Sequence, residues 1–573
     1  QKKKRHVAWR FASPAFAAMR VWGWRWVYVV LGVVLRAALL LWGEWQDRNA
    51  SLPYTDIDYA VFNDGAHALW SECRLEDTID SPLYEVESDL WNEPALAAKA
   101  KCARGYLPAV ARFVLQNDPA YARVKDSAGE SFDSDALFVS ASRTSFALTR
   151  PFFRVLATIG DPFTRTTYRY TPLLALLLAP AHASATAPAY WGKLLFAAAD
   201  VLCAVLMWMI IDARAEHHPR LARTCEWATH LPGVLWLLNP FPAQIATRGS
   251  ADSLVGALVL GCLALLLRAT PEMELIGTHA VPGDNVKRDT AVHDPAELRV
   301  ADERAWYGAA ALLALAVHLK LYPVIYGASI LAHLATYRRH AIRILCHVPN
   351  PTRQDVLVLG AEFAAVSGTM YALLNLLVYL VWGQPFVRDA LLYHLGREDH
   401  RHNFSVYFLP TYLAPAFDAL NAPGALQSVY VLAASPLLSF VPQLVACAYV
   451  GFKLGGRDLI LSCAVQTVVF VAWNKVYTSQ YFLWYLVFVP VVGTTLHFGR
   501  ALQPVLLAAA WAAAQAVWLF WAYRLEFLAQ DTLMPLWLSS LLLLATHVYV
   551  VRACLHAWTE WRAREQTAHA KQT

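Results

Sequence analysis

The sequence has little charge and no paired-cysteine motif. Only 16% of its 573 residues are charged and 57% are hydrophobic, which is far from the usual composition of a soluble protein. Its nine cysteines are scattered without any C-x-x-C pair, which argues against a zinc ribbon and a thiol redox motif. The net charge of +5 comes without a stripe of Lys and Arg interleaved with aromatics, so a nucleic acid partner is not expected. Composition therefore predicts a polytopic membrane protein.

The first apolar run, Trp26–Trp42, is not followed by a small-residue cleavage site, so we interpret it as an uncleaved span and not as a signal peptide. Basic residues at 2–5 precede it, and the positive-inside rule therefore predicts a cytoplasmic amino terminus. Further apolar runs bring the total to about twelve transmembrane helices, which also places the carboxyl terminus in the cytoplasm. These runs are Trp191–Ile211, Leu231–Ile245, Asp252–Leu267, Trp306–His318, Tyr322–Ala335, Val356–Val381, Ala425–Gly451, Leu459–Val471, Phe482–Phe498, Val505–Trp521 and Leu533–Val551.

The polar connections divide between the two membrane faces. Residues 269–304 form a loop on the cytoplasmic side whose composition predicts disorder. Residues 44–170 form the first loop on the opposite face, with an insertion over about 71–159, and Leu173–Ala179 after it is too short to span and is predicted to be re-entrant. Cys73 and Cys102 lie in this loop and would form a disulfide if that compartment is oxidising. Asn49 begins a glycosylation sequon there.

Two carboxylates, Asp56 and Asp58, lie two residues apart just beyond the first span. A membrane enzyme acting on a lipid-borne substrate would need a base at this level. The alternative is structural, since Thr55 as N-cap with Asp58 at the third helical position is an ordinary capping box. Apolar residues recur at helical spacing over Tyr59–Trp70, which predicts an amphipathic helix on the membrane surface. Arg36, inside the first span, is interpreted either as a functional charge or as an internally paired one.

Polar residues concentrate where other predicted spans reach the same face, which is typical of a cavity for a charged, hydroxyl-rich ligand. Around residues 393–405, histidines and carboxylates could bind a metal, but their spacing fits no zinc signature, and arginines favour phosphate recognition instead. The candidates for contact with a phosphate or a sugar are Arg248, Arg397, Arg401, His402 and Lys475. The candidates for the rest of the cavity lining are Tyr54, Tyr59, Arg169, Tyr170, Lys320, His394, His400, Asn403, Asn474 and Gln480.

Eight stretches, in this order, resemble the catalytic subunits of the GPI mannosyltransferase I family (PIG-M type). They are Tyr54–Tyr59 (YTDIDY), Tyr168–Leu174 (YRYTPLL), Trp191–Phe196 with Asp200, Trp236–Pro240 (WLLNP), Arg248–Ser253 (RGSADS), His318–Tyr326 (HLKLYPVIY), Tyr393–Phe408 and Asn474–Tyr485 (NKVYTSQYFLWY). The chain departs from the family in its insertion after the D-x-D and in its long loop after Leu267.

The resemblance implies a single GT-C membrane domain over residues 1–573, all α-helical, in the endoplasmic-reticulum membrane with its site facing the lumen. It implies transfer of mannose from dolichyl-phosphate mannose to the 4-hydroxyl of glucosamine on a GlcN-PI glycolipid, with inversion to an α1,4 linkage. By similarity, Asp56 is the catalytic base and Asp58 orients it or the sugar, or holds a divalent cation if one is required. A small single-pass subunit of the PIG-X type is the implied partner.

Three alternatives stay open, and one of them is a catalytically silent assembly subunit, against which only the intact pair Asp56 and Asp58 argues. A second dolichyl-phosphate-mannose-dependent transferase with another acceptor would share the chemistry but carry different motifs. A lipid-glycan transporter or scramblase would place charges through its spans and would relate its two halves by a repeat, and no clear repeat is visible here.

Overall fold

The computed structural model describes residues 14–70, 103–116, 149, 151–182, 190–217, 221, 227–271, 300–346, 348–396, 403–419 and 435–570. Several predicted features lie outside these residues: Cys73 and Cys102, the phosphate candidates Arg397, Arg401 and His402, the lining candidate His400, and most of the 269–304 loop.

The described residues form α-helices joined by short turns. In chain order the helices are α1 (Pro14–Asn49), α2 (Ile57–Trp70), α3 (Tyr106–Gln116), α4 (Pro172–Leu178), α5 (Trp191–His217), α6 (Pro240–Thr247), α7 (Asp252–Ala269), α8 (Glu303–Leu319), α9 (Gly327–Leu345), α10 (Arg353–Trp382), α11 (Phe408–Ala419), α12 (Pro436–Leu454), α13 (Leu459–Ala472), α14 (Gln503–Glu526) and α15 (Leu533–Ala570). Single helical turns add to these at His230–Pro232, Tyr393–Gly396, Leu483–Leu486 and Val489–Val492.

Six helices of the described part are long and apolar enough to cross a membrane: α1, α5, α7, α10, α14 and α15. Shorter apolar helices cover Pro172–His182, Phe440–Leu454 and Leu459–Ala472. The predicted all-α, polytopic architecture is confirmed, whereas the count of about twelve spans stays a prediction.

Two predicted spans are segmented in the structure. Leu231–Ile245 is divided by a π-helical turn, Gly233–Leu237, and by Asn239, whose side chain accepts from the Phe241 amide at 3.0 Å and starts α6. Phe482–Phe498 is divided into single helical turns around Pro490. Proline lacks the amide proton that a continuing helix needs and restricts the residue before it, so an apolar run that contains proline does not ensure one straight helix.

Buried polar contacts tie together the helices that carry the candidate site. The guanidinium of Arg36 on α1 donates to the fully buried carboxylate of Asp200 on α5, and the Ser253 hydroxyl on α7 donates to the same carboxylate at 2.8 Å. Arg36 is therefore internally paired, one of its two interpretations from the sequence. Because breaking such a pair leaves a buried charge uncompensated, α1, α5 and α7 are held in one arrangement.

The predicted surface helix after the D-x-D is present as α2. Its buried face includes Tyr59, Phe62 and Leu69, and Phe62 packs edge-on against Tyr170 with ring centroids 4.6 Å apart. The predicted re-entrant segment forms the short helix α4, which packs on α2. The two short helices thus lie together at one end of the membrane helices.

Candidate functional site

The turn before α2 is held by the ends of two membrane helices. The carboxylate of Asp47, at the end of α1, accepts from the amides of Tyr54 at 2.6 Å and Thr55 at 2.9 Å. The Lys193 ammonium, at the beginning of α5, donates to the Thr55 hydroxyl at 2.6 Å and lies 3.7 Å from Asp47. The residues just before the D-x-D are therefore held in place by both α1 and α5.

Asp56, and not Thr55, caps α2. The helix begins at Ile57, and the Asp56 carboxylate accepts from the amide of Asp58 at 3.1 Å. The Thr55 hydroxyl is engaged by Asp47 and Lys193 instead. The capping box with Thr55 as N-cap is therefore wrong, because a carboxylate eight residues earlier in the chain competes for the Thr55 hydroxyl.

Arg248 lies across the D-x-D turn and faces its first carboxylate. Its carbonyl accepts from the Asp56 amide at 2.9 Å, and its Nε donates to the Tyr54 carbonyl at 2.9 Å. Its Nη2 lies 3.7 Å from the Asp56 carboxylate. The Arg248 side chain remains 40% exposed and that of Asp56 15% exposed, so a ligand can reach both.

Asp58 lies in a more enclosed environment than a surface carboxylate. Burial raises its pKa, and the neighbouring negative charge of Asp56 raises it further. The Lys320 ammonium and a hydrogen bond from Tyr170 act in the opposite direction without cancelling the increase. Asp58 therefore holds a proton more readily than an exposed aspartate does.

Asp58→Asn is expected to raise the unfolding temperature at pH 7 and to change it little near pH 4. Because the folded-state pKa of Asp58 is raised, its contribution to stability is fully present below the unfolded value of about 4 and is lost as pH rises through the folded value. At neutral pH the wild type bears the cost of a buried charge that the amide avoids. Thermal unfolding of purified wild type and variant between pH 4 and 8 checks this; an equal or lower unfolding temperature for the variant at pH 7 would contradict it.

A fully buried carboxylate that the sequence analysis did not single out lies beside the D-x-D. Asp252, the first residue of α7, forms an ion pair with Lys320 and accepts from the Trp484 indole at 2.9 Å. It also accepts from the Gln480 amide at 2.9 Å and the Ser250 hydroxyl at 3.0 Å. In the sequence, the only indication of this role is a carboxylate at the edge of a predicted span. The structure shows its partners, and these place Asp252 at the centre of the site.

Aromatic rings hold the Lys320 ammonium from the other side. Trp484 stacks on Tyr322 and on Tyr481, with ring-centroid distances of 4.1 Å and 4.2 Å. The Lys320 ammonium lies 4.7 Å from the Trp484 ring centroid and 5.6 Å from that of Tyr481. A cation held by a carboxylate and by ring faces is positioned before any ligand arrives.

Three predicted tyrosines line the D-x-D turn in different ways. Tyr54 is buried, and its hydroxyl forms a 2.7 Å hydrogen bond with the Thr247 hydroxyl. Tyr59, on α2, is buried, and its ring packs against the turn at Gly249. Tyr170 hydrogen-bonds Asp58, as described above. Tyr170 is thus the one of these tyrosines that contacts a D-x-D carboxylate directly.

Other predicted lining residues brace the surrounding loops. Arg169 pairs with Asp389 at 2.5 Å and lies 4.3 Å from the Tyr393 ring centroid, while its carbonyl contacts His394 Nε2 at 3.1 Å. Asn403 is 1% exposed, and its side-chain oxygen accepts from the Tyr477 amide at 2.9 Å.

The remaining predicted residues lie on the segment just after α13. Lys475 is buried and Asn474 is half-buried. Gln480, on the same segment, contacts the Asp252 group directly. The structure therefore brings Gln480 and Lys320 to the centre of the site and places Arg169 and Asn403 in its supporting loops.

Gly249→Ala is expected to destabilise the D-x-D turn by about 1–3 kcal/mol. Gly249 has φ of +99°, and an added Cβ would lie 2.4 Å from the Tyr59 ring, one residue beyond Asp58. Gly368→Ala on α10 is the matched control, because its Cβ would meet nothing within 4 Å. The unfolding temperature should fall for Gly249→Ala and stay unchanged for Gly368→Ala; equal unfolding temperatures for the two variants would contradict the requirement for glycine at position 249.

Within the described ranges, no group of three His, Cys, Asp or Glu side chains is arranged to hold a metal ion. Asp56 and Asp58 supply two carboxylates, and Arg248 already faces the first of them.

Comparison with known proteins decides the family. The family model described as mannosyltransferase (PIG-M) matches residues 245–555, which include Arg248, Asp252, Lys320 and Gln480. The chain belongs to the PIG-M mannosyltransferase family. It is therefore a membrane-bound glycosyltransferase, and the resemblance inferred from its motifs is confirmed.

The sequences of individual relatives support the same family assignment for this mannosyltransferase. The GPI mannosyltransferase 1 of Schizosaccharomyces pombe is 32% identical over 66% of this chain and 84% of its own. The zebrafish (Danio rerio) GPI alpha-1,4-mannosyltransferase I catalytic subunit is 34% identical over 68% of this chain and 83% of its own. The GPI mannosyltransferase 1 of Emericella nidulans is 29% identical over 91% of this chain and 93% of its own.

Proposed function

We propose that this mannosyltransferase moves the first mannose of a GPI anchor from dolichyl-phosphate mannose to the 4-hydroxyl of glucosamine on glucosaminyl-(acyl)phosphatidylinositol. The observation that carries the proposal is the convergence of the D-x-D with Arg248 and with the Lys320–Asp252 pair at one end of the membrane helices. The names of the yeast and zebrafish relatives support the acceptor, and the zebrafish name supports the α1,4 linkage.

The chemistry is a single displacement with inversion. The glucosamine oxygen forms a bond to the anomeric carbon of mannose while the bond from that carbon to the phosphate oxygen breaks, and dolichyl phosphate leaves with the electron pair. The hydroxyl proton goes to Asp56, whose partly exposed carboxylate is fixed by the Asp58 amide and faces Arg248. Since the leaving phosphate needs no proton, the rest of the site has only to stabilise negative charge.

The surrounding residues divide into a carboxylate side and a cationic side. Asp58 orients Asp56 or a sugar hydroxyl, and Tyr170 restrains Asp58. Arg248 lies 3.7 Å from Asp56 and the Lys320 ammonium acts on Asp58, and we assign both cations to the donor phosphate and sugar. Lys475 and the predicted Arg397, Arg401 and His402 complete the phosphate contacts in this proposal. Tyr54, Tyr59, Arg169, His394, His400, Asn403, Asn474 and Gln480 shape the cavity for the acceptor.

Both substrates are lipid-anchored, which sets where the reaction takes place. A site at the end of the spans, beside a short surface helix, can receive two head groups from the bilayer without extracting either lipid. We place it in the endoplasmic-reticulum membrane with the D-x-D facing the lumen and both termini in the cytoplasm. A single-pass subunit of the PIG-X type is the expected protein partner.

The test is transfer of labelled mannose from dolichyl-phosphate mannose to glucosaminyl-phosphatidylinositol by purified protein in nanodiscs, with and without the partner and with and without EDTA. A singly mannosylated product with an α1,4 linkage would support the proposal. Loss of product on EDTA would make Asp58 a metal ligand, and survival would assign both carboxylates to proton and sugar chemistry. Donor binding without product would favour another acceptor and overturn the assignment of glucosamine.

A further inference from the structure

Part of the predicted insertion, residues 71–159, packs on the end of the candidate span α10. The amide of Gly105, just before α3, donates to the Val381 carbonyl in the last turn of α10 at 3.0 Å. The amide of Ala103 donates to the Ile159 carbonyl at 3.2 Å, which joins the two described pieces of the insertion.

The same region is fastened to the helix that follows the D-x-D. The Gly160 amide donates to the Leu69 carbonyl at the end of α2 at 3.1 Å, and the Gly160 carbonyl accepts from the Trp382 indole on α10 at 3.0 Å. The approach is so close that a Cβ on Gly160 would lie 1.9 Å from the Ala68 carbonyl oxygen. Gly160 therefore links the end of α2 to the last turn of α10.

Helix α3 presents two different apolar faces. Ala111 is buried in the hydrophobic cluster that contains Val378 and Trp382 of α10, and Leu107 packs against that cluster. The other face carries Tyr106, Val110 and Phe113, whose exposed fractions are 66%, 51% and 66%. The spacing of four and three residues places these three side chains on one side of the helix.

The neighbouring helical segment, residues 151–158, repeats this arrangement. Leu156 and Ala157 are buried in the same cluster, while Phe152 and Val155 are 62% and 61% exposed. Two short helices of the insertion therefore expose large apolar side chains next to one another in the chain's tertiary structure. Solvent is a poor environment for such a combined surface.

The position of α10 identifies what covers this surface. α10 is a candidate span of 30 residues, and its last turns expose Leu373, Leu376 and Leu377, as expected for contact with lipid chains. Because α3 packs beside the final turn of α10, it lies at the boundary between lipid chains and water. An amphipathic helix at that depth buries its apolar face in the head-group region.

We propose that α3 and residues 151–158 form a pair of interfacial helices, which bind the bilayer leaflet on the D-x-D side of the membrane. In this pair, Tyr106, Val110 and Phe113 insert into the head-group region. Through Gly160 the pair sets the height of α2 relative to that leaflet, where lipid-anchored substrates present their head groups. This inference depends on the membrane architecture and does not require that the proposed donor or acceptor be correct.

The test is photochemical and independent of turnover. Benzoylphenylalanine replaces one residue at a time in the full chain, which is reconstituted in nanodiscs of phosphatidylcholine carrying an alkyne tag. Phe113→benzoylphenylalanine is compared with the same change at Leu373, on the lipid-exposed side of α10, and at Thr166, in an exposed polar turn after the insertion.

Lipid adducts at position 113 should be at least about fivefold more abundant than at position 166 and comparable to those at position 373. Adducts to lipid no higher than at Thr166 would overturn the proposal. Adducts at 113 to another part of this chain, to a second copy or to another protein would also overturn it, since each would show a different occupant. Failure of the mannose-transfer assay would leave this result unaffected.

Discussion

Asp56→Asn is expected to lower the rate of mannose transfer by a factor of about 10² to 10⁴, the usual contribution of a positioned general base. The amide cannot accept the proton of the acceptor hydroxyl. Its oxygen can still accept from the Asp58 amide, so the cap on α2 and the fold are retained. Initial rates in nanodiscs, together with thermal unfolding of the same preparation, check the prediction.

The matched control is Asp64→Asn, on the same helix. Asp64 is 45% exposed in an ion pair with Arg165, an arrangement that contributes little to stability. This variant should transfer mannose at close to the wild-type rate. If Asp56→Asn also kept a rate within about threefold of wild type, a proton-accepting role for Asp56 would be ruled out.

Asp58→Asn should cost most of the activity too, for a different reason. Asp58 is restrained by Tyr170 and lies near Lys320, so its carboxylate helps to orient Asp56 or a sugar hydroxyl. The loss of rate should accompany the gain in stability at neutral pH that burial of its charge predicts. Near-normal turnover of this variant would show that Asp58 has no role in catalysis.

The local features of this site could be predicted from the sequence because they depend on neighbours in the chain. The apolar spacing after the D-x-D predicts α2, and Thr171 followed by Pro172 starts α4 as a short helix. The cap was predicted wrongly because Asp47 lies at the end of a preceding helix. The position of the end of α1 relative to this turn depends on the tertiary structure. That position determines which side-chain oxygen can accept from the α2 amides.

The arrangement around Asp252 could not be predicted in the same way. Its partners Lys320 and Trp484 lie 68 and 232 residues away along the chain. Composition places all of them at one membrane face, but no periodicity specifies which cation pairs with which carboxylate. The Arg36 ion pair is a similar case, since the sequence indicated a buried charge and left its partner Asp200, 164 residues away, unidentified.

Lys320→Met is expected to lower mannose transfer by a factor of about 10² to 10³, comparable to the loss of one preorganised group that stabilises developing charge. The Lys320 side chain is 31% exposed. Its ammonium contacts Asp252 and the Trp484 ring and lies near Asp58. Methionine keeps the length and the apolar contacts with the rings but cannot stabilise a leaving phosphate. Transfer rate at saturating donor and donor affinity, measured separately, show whether the loss is in catalysis or in binding.

Asp252→Asn should lower the free energy of unfolding by about 1–3 kcal/mol, the cost of leaving a buried polar group without its hydrogen-bond partner. The carboxylate is fully buried and accepts from Lys320, Trp484, Gln480 and Ser250, so an amide would turn its own N–H groups toward at least one of these donors. Lys320→Met should also lose stability, because the fully buried Asp252 carboxylate keeps three neutral donors but loses its cation. Asp252 is therefore predicted to act through the position of Lys320, and the double variant should lose no more activity than Lys320→Met alone. Additive losses of activity in the double variant would mean that Asp252 has a separate role in the reaction.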